Sequence, residues 1–393
     1  MVKLREDLLT DILTQPSAPY RERHVIAVVT KALAASGVPF FNDPVGNIII
    51  GAKNISQLKK KLNTKATAEP LMIFMAHMDH PGFIGSRWLD TKLEVVWHGG
   101  SPTKFLDGAR VWLADNSGFI GGAEIHSTKL TKSGRCIDSA VLALSPETKS
   151  RIMNPKGVYG GFAFRKEAWR DGQHIYTKAA DDLVGTFVVT SLAIETKGAK
   201  KRTSTGENFL GILTRAEEPG FMGAIGHFEL GWYKKAKRQP LFISIETSRT
   251  LPGAEIGKGP IVRLGDKFTV FDPNALRVVC DVASKTLPNS HQRRIMDGGT
   301  CEATAATAYG FPCIGFSVPL GNYHNQSFEG GPDSRGPMGP APEFVHISDV
   351  SGMLKLCISL LKRGLPWNEP WKRKLTELKK DYKRTLKLMK SGP

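Results

Sequence analysis

The sequence predicts an α/β fold: a three-layer sandwich around a central mixed sheet, interrupted by an inserted small all-β domain of barrel or sandwich type. Three observations carry this. Apolar strand-like runs alternate with helix-like segments over residues 1–82 and again over 174–393. Between them, over 83–173, short strand-like pieces alternate with turns and no convincing helix of three turns occurs. The 393 residues also exceed what one compact core usually holds, so one large domain with a substantial insertion, or two domains, is expected. The expected division is a discontinuous domain of 1–82 and 174–393, an insertion at 83–173, and a basic C-terminal helix over 366–393.

Taken in order, LLTDILTQPSAP is helical until Pro16 and Pro19 break it. RERHVIAVVTKALAASG places Val25, Val28, Val29 and Leu33 at helical spacing and stops at Gly37. VPFFNDPVGNIIIG reads as two strands around a turn at Asp43-Pro44, and Lys53–Pro70 as a polar loop. LMIFMAHMD (Leu71–Asp79) is a buried strand delivering polar residues at its end. After the insertion come a helix following Asp181, the strand NFLGILTRAEE, the helix MGAIGHFELGWYK and the strand QPLFISIET. IGKGPIVRLGD reads as a short hairpin, ALRVVCDVASKTL and TCEATAATAYG as helices, FPCIGFSVPL as a strand and SDVSGMLKLCISLLKRG as a helix. A terminal helix near Trp371–Lys390 aligns Leu375, Leu378, Tyr382, Leu386 and Met389 on one face, expected to pack on the body or on a neighbouring subunit.

Composition narrows the class. Net charge is +17, but Leu361–Pro393 alone holds eleven basic against three acidic residues, and the loops AKNISQLKKKLNTK and ETKGAKKRTST add more. Aromatic residues do not interleave with these cations, so no nucleic-acid surface is expected. No apolar run approaches a membrane span. The charged start and five scattered cysteines without CxxC spacing point to the cytoplasm. There is no G-x-S-x-G elbow for serine chemistry and no Walker-type loop.

What remains is a series of acids and histidines at strand ends: His77, Asp79, Asp181, Glu217, Glu218, Glu246 and His324. Any one of these is ordinary. Asp181-Asp182 opens an apolar helix, where a carboxylate caps backbone N–H groups. Together they are the donor set that two divalent cations about 3.5–4 Å apart require, with one bridging carboxylate and nitrogen and oxygen ligands on each side. One carboxylate is left to act as a base and one to orient a ligating histidine. His24, His126, His174, His227, His291 and His346 have no motif around them. His80 and His98 flank the entry to the insertion and are read as non-catalytic.

At these residues the chain resembles the co-catalytic zinc exopeptidases, within them the glutamyl and deblocking aminopeptidases that form tetrahedral particles. The resemblance runs from about residue 8 to 361 and rests on SAPYRERHV, DPVGNIIIG, MAHMDHPGFIG, KAADDLVG, RAEEPGFMGA, GAEIGKGPIVR, GGTCEATA and the strand leading to NYHNQS. An all-β insertion between His77 and Asp181 distinguishes this branch. The resemblance implies that His77 and Glu246 bind one metal, Glu218 and His324 the other, and that Asp181 bridges them. It implies zinc, with cobalt or manganese as substitutes, Glu217 as general base, Asp79 as the partner of His77, and a cis peptide between Asp181 and Asp182. Short peptides as substrates and a homo-oligomer follow as expectations. Three features depart from the pattern. Glu246 stands where close relatives carry Asp and carboxypeptidase-like members carry Glu, Cys301 replaces a usual Asp, and the loop Glu329–Pro342 is long. They keep open a related carboxypeptidase, amidase or deacylase, or a non-catalytic scaffold on this fold.

Overall fold

The structure is a computed structural model and describes residues 4–64, 69–198 and 206–391. Part of the basic loop ETKGAKKRTST, 199–205, therefore lies outside the described residues. Helices α1 (Glu6–Leu13) and α2 (Arg23–Ala35) are followed by β1 (Phe40–Asn42) and β2 (Ile48–Ile50). The expected polar loop then contains a helix, α3 (Ile55–Asn63). Asn54 caps it by accepting from the Gln57 N–H, and Leu58 and Leu62, four apart, are buried. β3 (Leu71–His77) leads into the insertion. This consists of β4 (Gly82–Leu89), β5 (Lys92–His98), β6 (Arg110–Asp115), β7 (Gly118–Leu130), β8 (Ile137–Leu144), a short α4 (Pro146–Ser150) and β9 (Tyr159–Phe162). These six strands close into a barrel in the order β4-β5-β8-β7-β6-β9 around its own apolar core. β10 (Ala168–Asp171) and β11 (His174–Thr177) belong to a separate three-stranded sheet completed by β17 (Glu343–His346).

The chain returns to the main body through α5 (Leu183–Gly198), whose residues 183–194 are all buried. β12 (Phe209–Thr214), α6 (Met222–Glu229), β13 (Pro240–Arg249), β14 (Ile261–Asp266), α7 (Pro273–Thr286), β15 (Gln292–Met296), α8 (Glu302–Ala308) and β16 (Cys313–Leu320) follow. After β17 come α9 (Ile347–Leu360) and α10 (Lys372–Lys390). The eight-stranded sheet runs β1-β2-β12-β3-β13-β16-β14-β15, with β12, β3, β13 and β16 mutually parallel at its centre. IGKGPIVRLGD is therefore not a hairpin: β14 is a sheet strand antiparallel to β16 and parallel to β15, a strand with no apolar run to announce it. Helices α1, α2, α5, α7 and α9 cover one face through one apolar core, and α3, α6 and α8 cover the other. The three layers leave the C-terminal ends of the parallel strands open at one edge, where an α/β sheet presents its chemistry. α10 has no buried residue, so packing on the body is ruled out for its apolar stripe. No described helix is long and apolar enough to cross a membrane.

Candidate metal centre

All seven expected residues converge at that edge. His77 ends β3, Glu217 and Glu218 follow β12, Glu246 lies in β13, His324 follows β16, and Asp181 precedes α5. Three groups of donor atoms each lie within 4.8 Å of one another: His77, Asp181 and Glu246; Asp181, Glu218 and His324; and His77, Glu217 and Glu218. The first two share Asp181. His77 Nε2 is 3.5 Å from Asp181 Oδ1, and His324 Nε2 is 3.5 Å from Asp181 Oδ2 and 3.4 Å from Glu218 Oε1. The Asp181–Asp182 peptide is cis, as the resemblance implies. Asp182 plays a different part from its neighbour. Its Oδ1 accepts from the Gly185 N–H at 3.1 Å and from Thr247 Oγ1 at 2.8 Å. A Cβ on Gly185 would meet Asp182 Oδ2 at 2.2 Å, so only glycine fits there.

Asp79 is placed differently from expectation. His77 Nδ1 donates to the Asp79 backbone carbonyl at 3.0 Å, whereas the carboxylate is 3.6 Å away. That carboxylate instead accepts the Glu217 N–H at 2.9 Å and the Glu218 N–H at 3.1 Å, holding the Glu-Glu pair by its backbone. With Nδ1–H committed to a carbonyl, Nε2 of His77 is the ring nitrogen that faces the carboxylates and the one left to bind a metal.

Several positioning residues were not among those expected. Buried Glu343 of β17 accepts from the Ala180 and Asp181 N–H groups at 2.7 and 3.0 Å through one oxygen, and from the His324 N–H at 2.8 Å through the other. His80 joins the Asp181 carbonyl at 2.6 Å and Asn325 Oδ1 at 3.1 Å. Glu22, inside SAPYRERHV, accepts from the Ala216 N–H and pairs with Arg215, fixing the turn into Glu217. Gly99 and Gly100 of the barrel press on the site. A Cβ on Gly100 would lie 1.8 Å from His324 Nδ1, and one on Gly99 would lie 3.1 Å from Glu218. His324 has φ 55, among residues of which Asn322 and Asn325 also take the left-handed region.

The electrostatics show how strongly these groups act on one another. Burial, with neighbouring carboxylates adding, pushes Glu217 well above its ordinary value against the opposing pull of His77. Burial likewise raises Glu218 and Glu246. Burial pulls His77 and His324 down, but the surrounding acids outweigh it and hold both imidazoles well above the usual range. Asp181 is the exception, since its burial is outweighed by the facing His324 and His77 imidazoles, which keep it low. Buried Asp181 Oδ1 and Glu218 Oε1 have no hydrogen-bond partner. Uncompensated buried carboxylates are costly, and cations at the two sets sharing Asp181 would compensate them. Imidazole and carboxylate donors suit zinc and its neighbours in the first transition row.

The site opens into a cavity of about 520 Å³. Arg263 of β14 lines it, is 2% exposed, and has no hydrogen-bond partner for its Nε. An arginine inside the apolar run PIVRLGD was the available signal for it. Cys301 is buried, and burial raises its thiol well above its ordinary value, which argues against a thiolate nucleophile.

The fold is shared with solved structures that are distant in sequence. The TET1 peptidase of Pyrococcus horikoshii, which can assemble into a tetrahedron or a large octahedral shell, is 18% identical with a TM-score of 0.67, covering 91% of this chain and 99% of that one. An aminopeptidase of the archaeon Desulfurococcus kamchatkensis is 18% identical with a TM-score of 0.70, covering 94% and 99%. The TET aminopeptidase of a marine sediment Thaumarchaeota archaeon is 19% identical with a TM-score of 0.69, covering 91% and 96%. No curated protein matches the sequence. The profile of the M42 glutamyl aminopeptidases matches residues 58–328. That span takes in every donor from His77 to His324, so the chain belongs to the M42 glutamyl aminopeptidase family.

Proposed function

We propose that this metallo-aminopeptidase uses two divalent cations to release N-terminal residues, acidic ones foremost, from short peptides, and works as a cytoplasmic homo-oligomer. The carrying observation is the pair of donor sets that share Asp181. His77 and Glu246 would hold one cation, Glu218 and His324 the other, and Asp181 both. When bound, such cations polarise a carbonyl oxygen and acidify water. Glu217 takes a proton from the attacking water and passes it to the leaving amine nitrogen. Burial raises the Glu217 carboxyl above its ordinary value, which favours its holding the proton between the two transfers. Asp79 and Glu343 hold the backbone of these residues in place.

Arg263 supports the acidic preference. A buried guanidinium that lines the pocket offers a charge-assisted fork to a carboxylate side chain. The five free cysteines suit a reducing compartment. The test is a panel of peptides with free, acylated and carboxylate ends, assayed with wild type and Arg263→Met. Free-amine peptides beginning with Glu should be cleaved best. The variant should lose about 10- to 100-fold in kcat/KM on them, the range of a charge-assisted hydrogen bond, and change little on peptides beginning with Ala. Glu246, the ligand type of carboxypeptidase-like members, supports the second reading. Cleavage confined to acylated peptides, or release of C-terminal residues, would establish that one instead.

A further inference from the structure

The long loop after His324 is a strap fastened at both ends. At its root, the Asn322 N–H donates to Glu329 Oε2 at 2.6 Å and the Glu329 N–H donates to Asn322 Oδ1 at 3.0 Å. The two limbs are joined by Ser327 N–H to the Gly339 carbonyl and Met338 N–H to the Ser327 carbonyl. At the far end the loop reaches the barrel. Arg335 donates through Nε to the Phe105 carbonyl at 3.2 Å, through Nη1 to Gly108 at 2.9 Å and through Nη2 to Asp107 at 2.8 Å. Asp333 accepts from the Arg165 N–H at 2.8 Å and from its Nε and Nη2 at 2.9 and 2.7 Å. Gly336 and Gly339 lie against the Phe105 ring so closely that a Cβ on either would come within 3.0–3.1 Å of it.

The strap is also a wall of the cavity. Phe328, with the Arg249 guanidinium 3.7 Å above its ring, and Met338 line it from the strap side, and Thr103 lines it from the same barrel segment that Arg335 grips. Arg263 and the strap residues Phe328 and Met338 line one cavity, so a peptide held at Arg263 by its N-terminal residue lies in a space that the strap bounds. We propose that Arg335 is a specificity-determining positioning residue: by pinning the strap to the barrel it closes the leaving-peptide side of the cavity and sets the upper limit on substrate length. Its planar fork spreads three donor nitrogens over three carbonyls, a geometry that the single nitrogen of a lysine does not reproduce. This inference rests on the aminopeptidase reading.

The experiment compares wild type, Arg335→Ala and Arg335→Lys on peptides beginning with Glu and of increasing length, alongside hydrogen exchange of residues 326–342. Loss of the latch should raise exchange in the strap and raise the kcat/KM ratio of long to short peptides more than about tenfold, the weight of one charge-assisted hydrogen bond. On the dipeptide, kcat should stay within about twofold, because no group at the reacting atoms is touched. Arg335→Lys should fall between. An unchanged length ratio in an active variant, or unchanged strap exchange, overturns the latch alone. A wild type that releases no N-terminal residue overturns the aminopeptidase reading, and the length limit with it.

Discussion

Glu343 satisfies three backbone N–H groups on two loops, those of Ala180, Asp181 and His324, and so governs where the bridging carboxylate and one imidazole can stand. Glu217 touches no such backbone and belongs to the proton chemistry. The two residues should therefore fail in opposite ways. Glu343→Gln puts an amide NH₂ against N–H donors and should weaken cation binding about 10- to 100-fold, read by competition with a chelator. Glu217→Gln should keep cation affinity and lose about 10²–10⁴-fold in kcat. Turnover near wild type by metal-replete Glu217→Gln would remove it as the base. The difference also explains what could be read from the sequence. His77, Asp181, Glu217, Glu218, Glu246 and His324 are legible because each is a polar side chain near the end of an apolar run or, for Asp181, at the start of one. Glu343 and His80 act through the backbone of other residues, over 163 and 101 positions respectively, and leave no local pattern. Asp79 was legible as a member of the site, but its carboxylate's grip on the Glu217 and Glu218 N–H groups depends on β12 lying beside β3, which no local pattern contains.

Among the elements, α10 repeats the lesson from the other side. Its stripe is plain in the sequence, yet Leu375, Leu378 and Tyr382 are half exposed and Met389 is 69% exposed. The helix is held by its own pairs, Arg373 and Lys374 with Glu377 and Arg384 with Asp381. Its ties to the body are at Trp371, through Nε1 to Asn274 Oδ1 at 2.9 Å and the Arg277 guanidinium over the ring. Exposed pairs of this kind contribute little. Truncation after Asn368 should thus change unfolding free energy by less than about 1 kcal/mol and leave peptide turnover intact, as checked by thermal unfolding and assay. A larger loss would mean that the stripe is covered in the working protein. The missed helix α3 was hidden by Lys59–Lys61, which mask the Leu58/Leu62 pair, and β14 by a partner strand that arrives only at Gln292. Helical periodicity is local; sheet pairing is not.

For the whole molecule, the insertion and its barrel-like character were legible as a change of texture, but the order in which its six strands close is a property of non-local register and was not. The same holds for the sheet's outer edge. There β15 leaves Ile295 45% exposed, and Ile295 pairs with Gly265, which bridges to Val270. Val270 and nearby Phe268 are 80% and 73% exposed. Ile295 and Val270, which flank Gly265 on either side, and Phe268 near them leave apolar side chains exposed together, and such a surface is made to be covered. A second copy of this chain is the occupant consistent with a homo-oligomer. Light scattering should then give a multiple of 43.0 kDa, and Phe268→Asp with Val270→Asp should lower that multiple. Because both side chains lie on the surface of the chain, the variant's subunits should keep their fold, with unfolding free energy changed by no more than about 0.5 kcal/mol per site. An oligomer unmoved by the pair would place the contact elsewhere, and a 43.0 kDa wild-type particle would end the homo-oligomer reading.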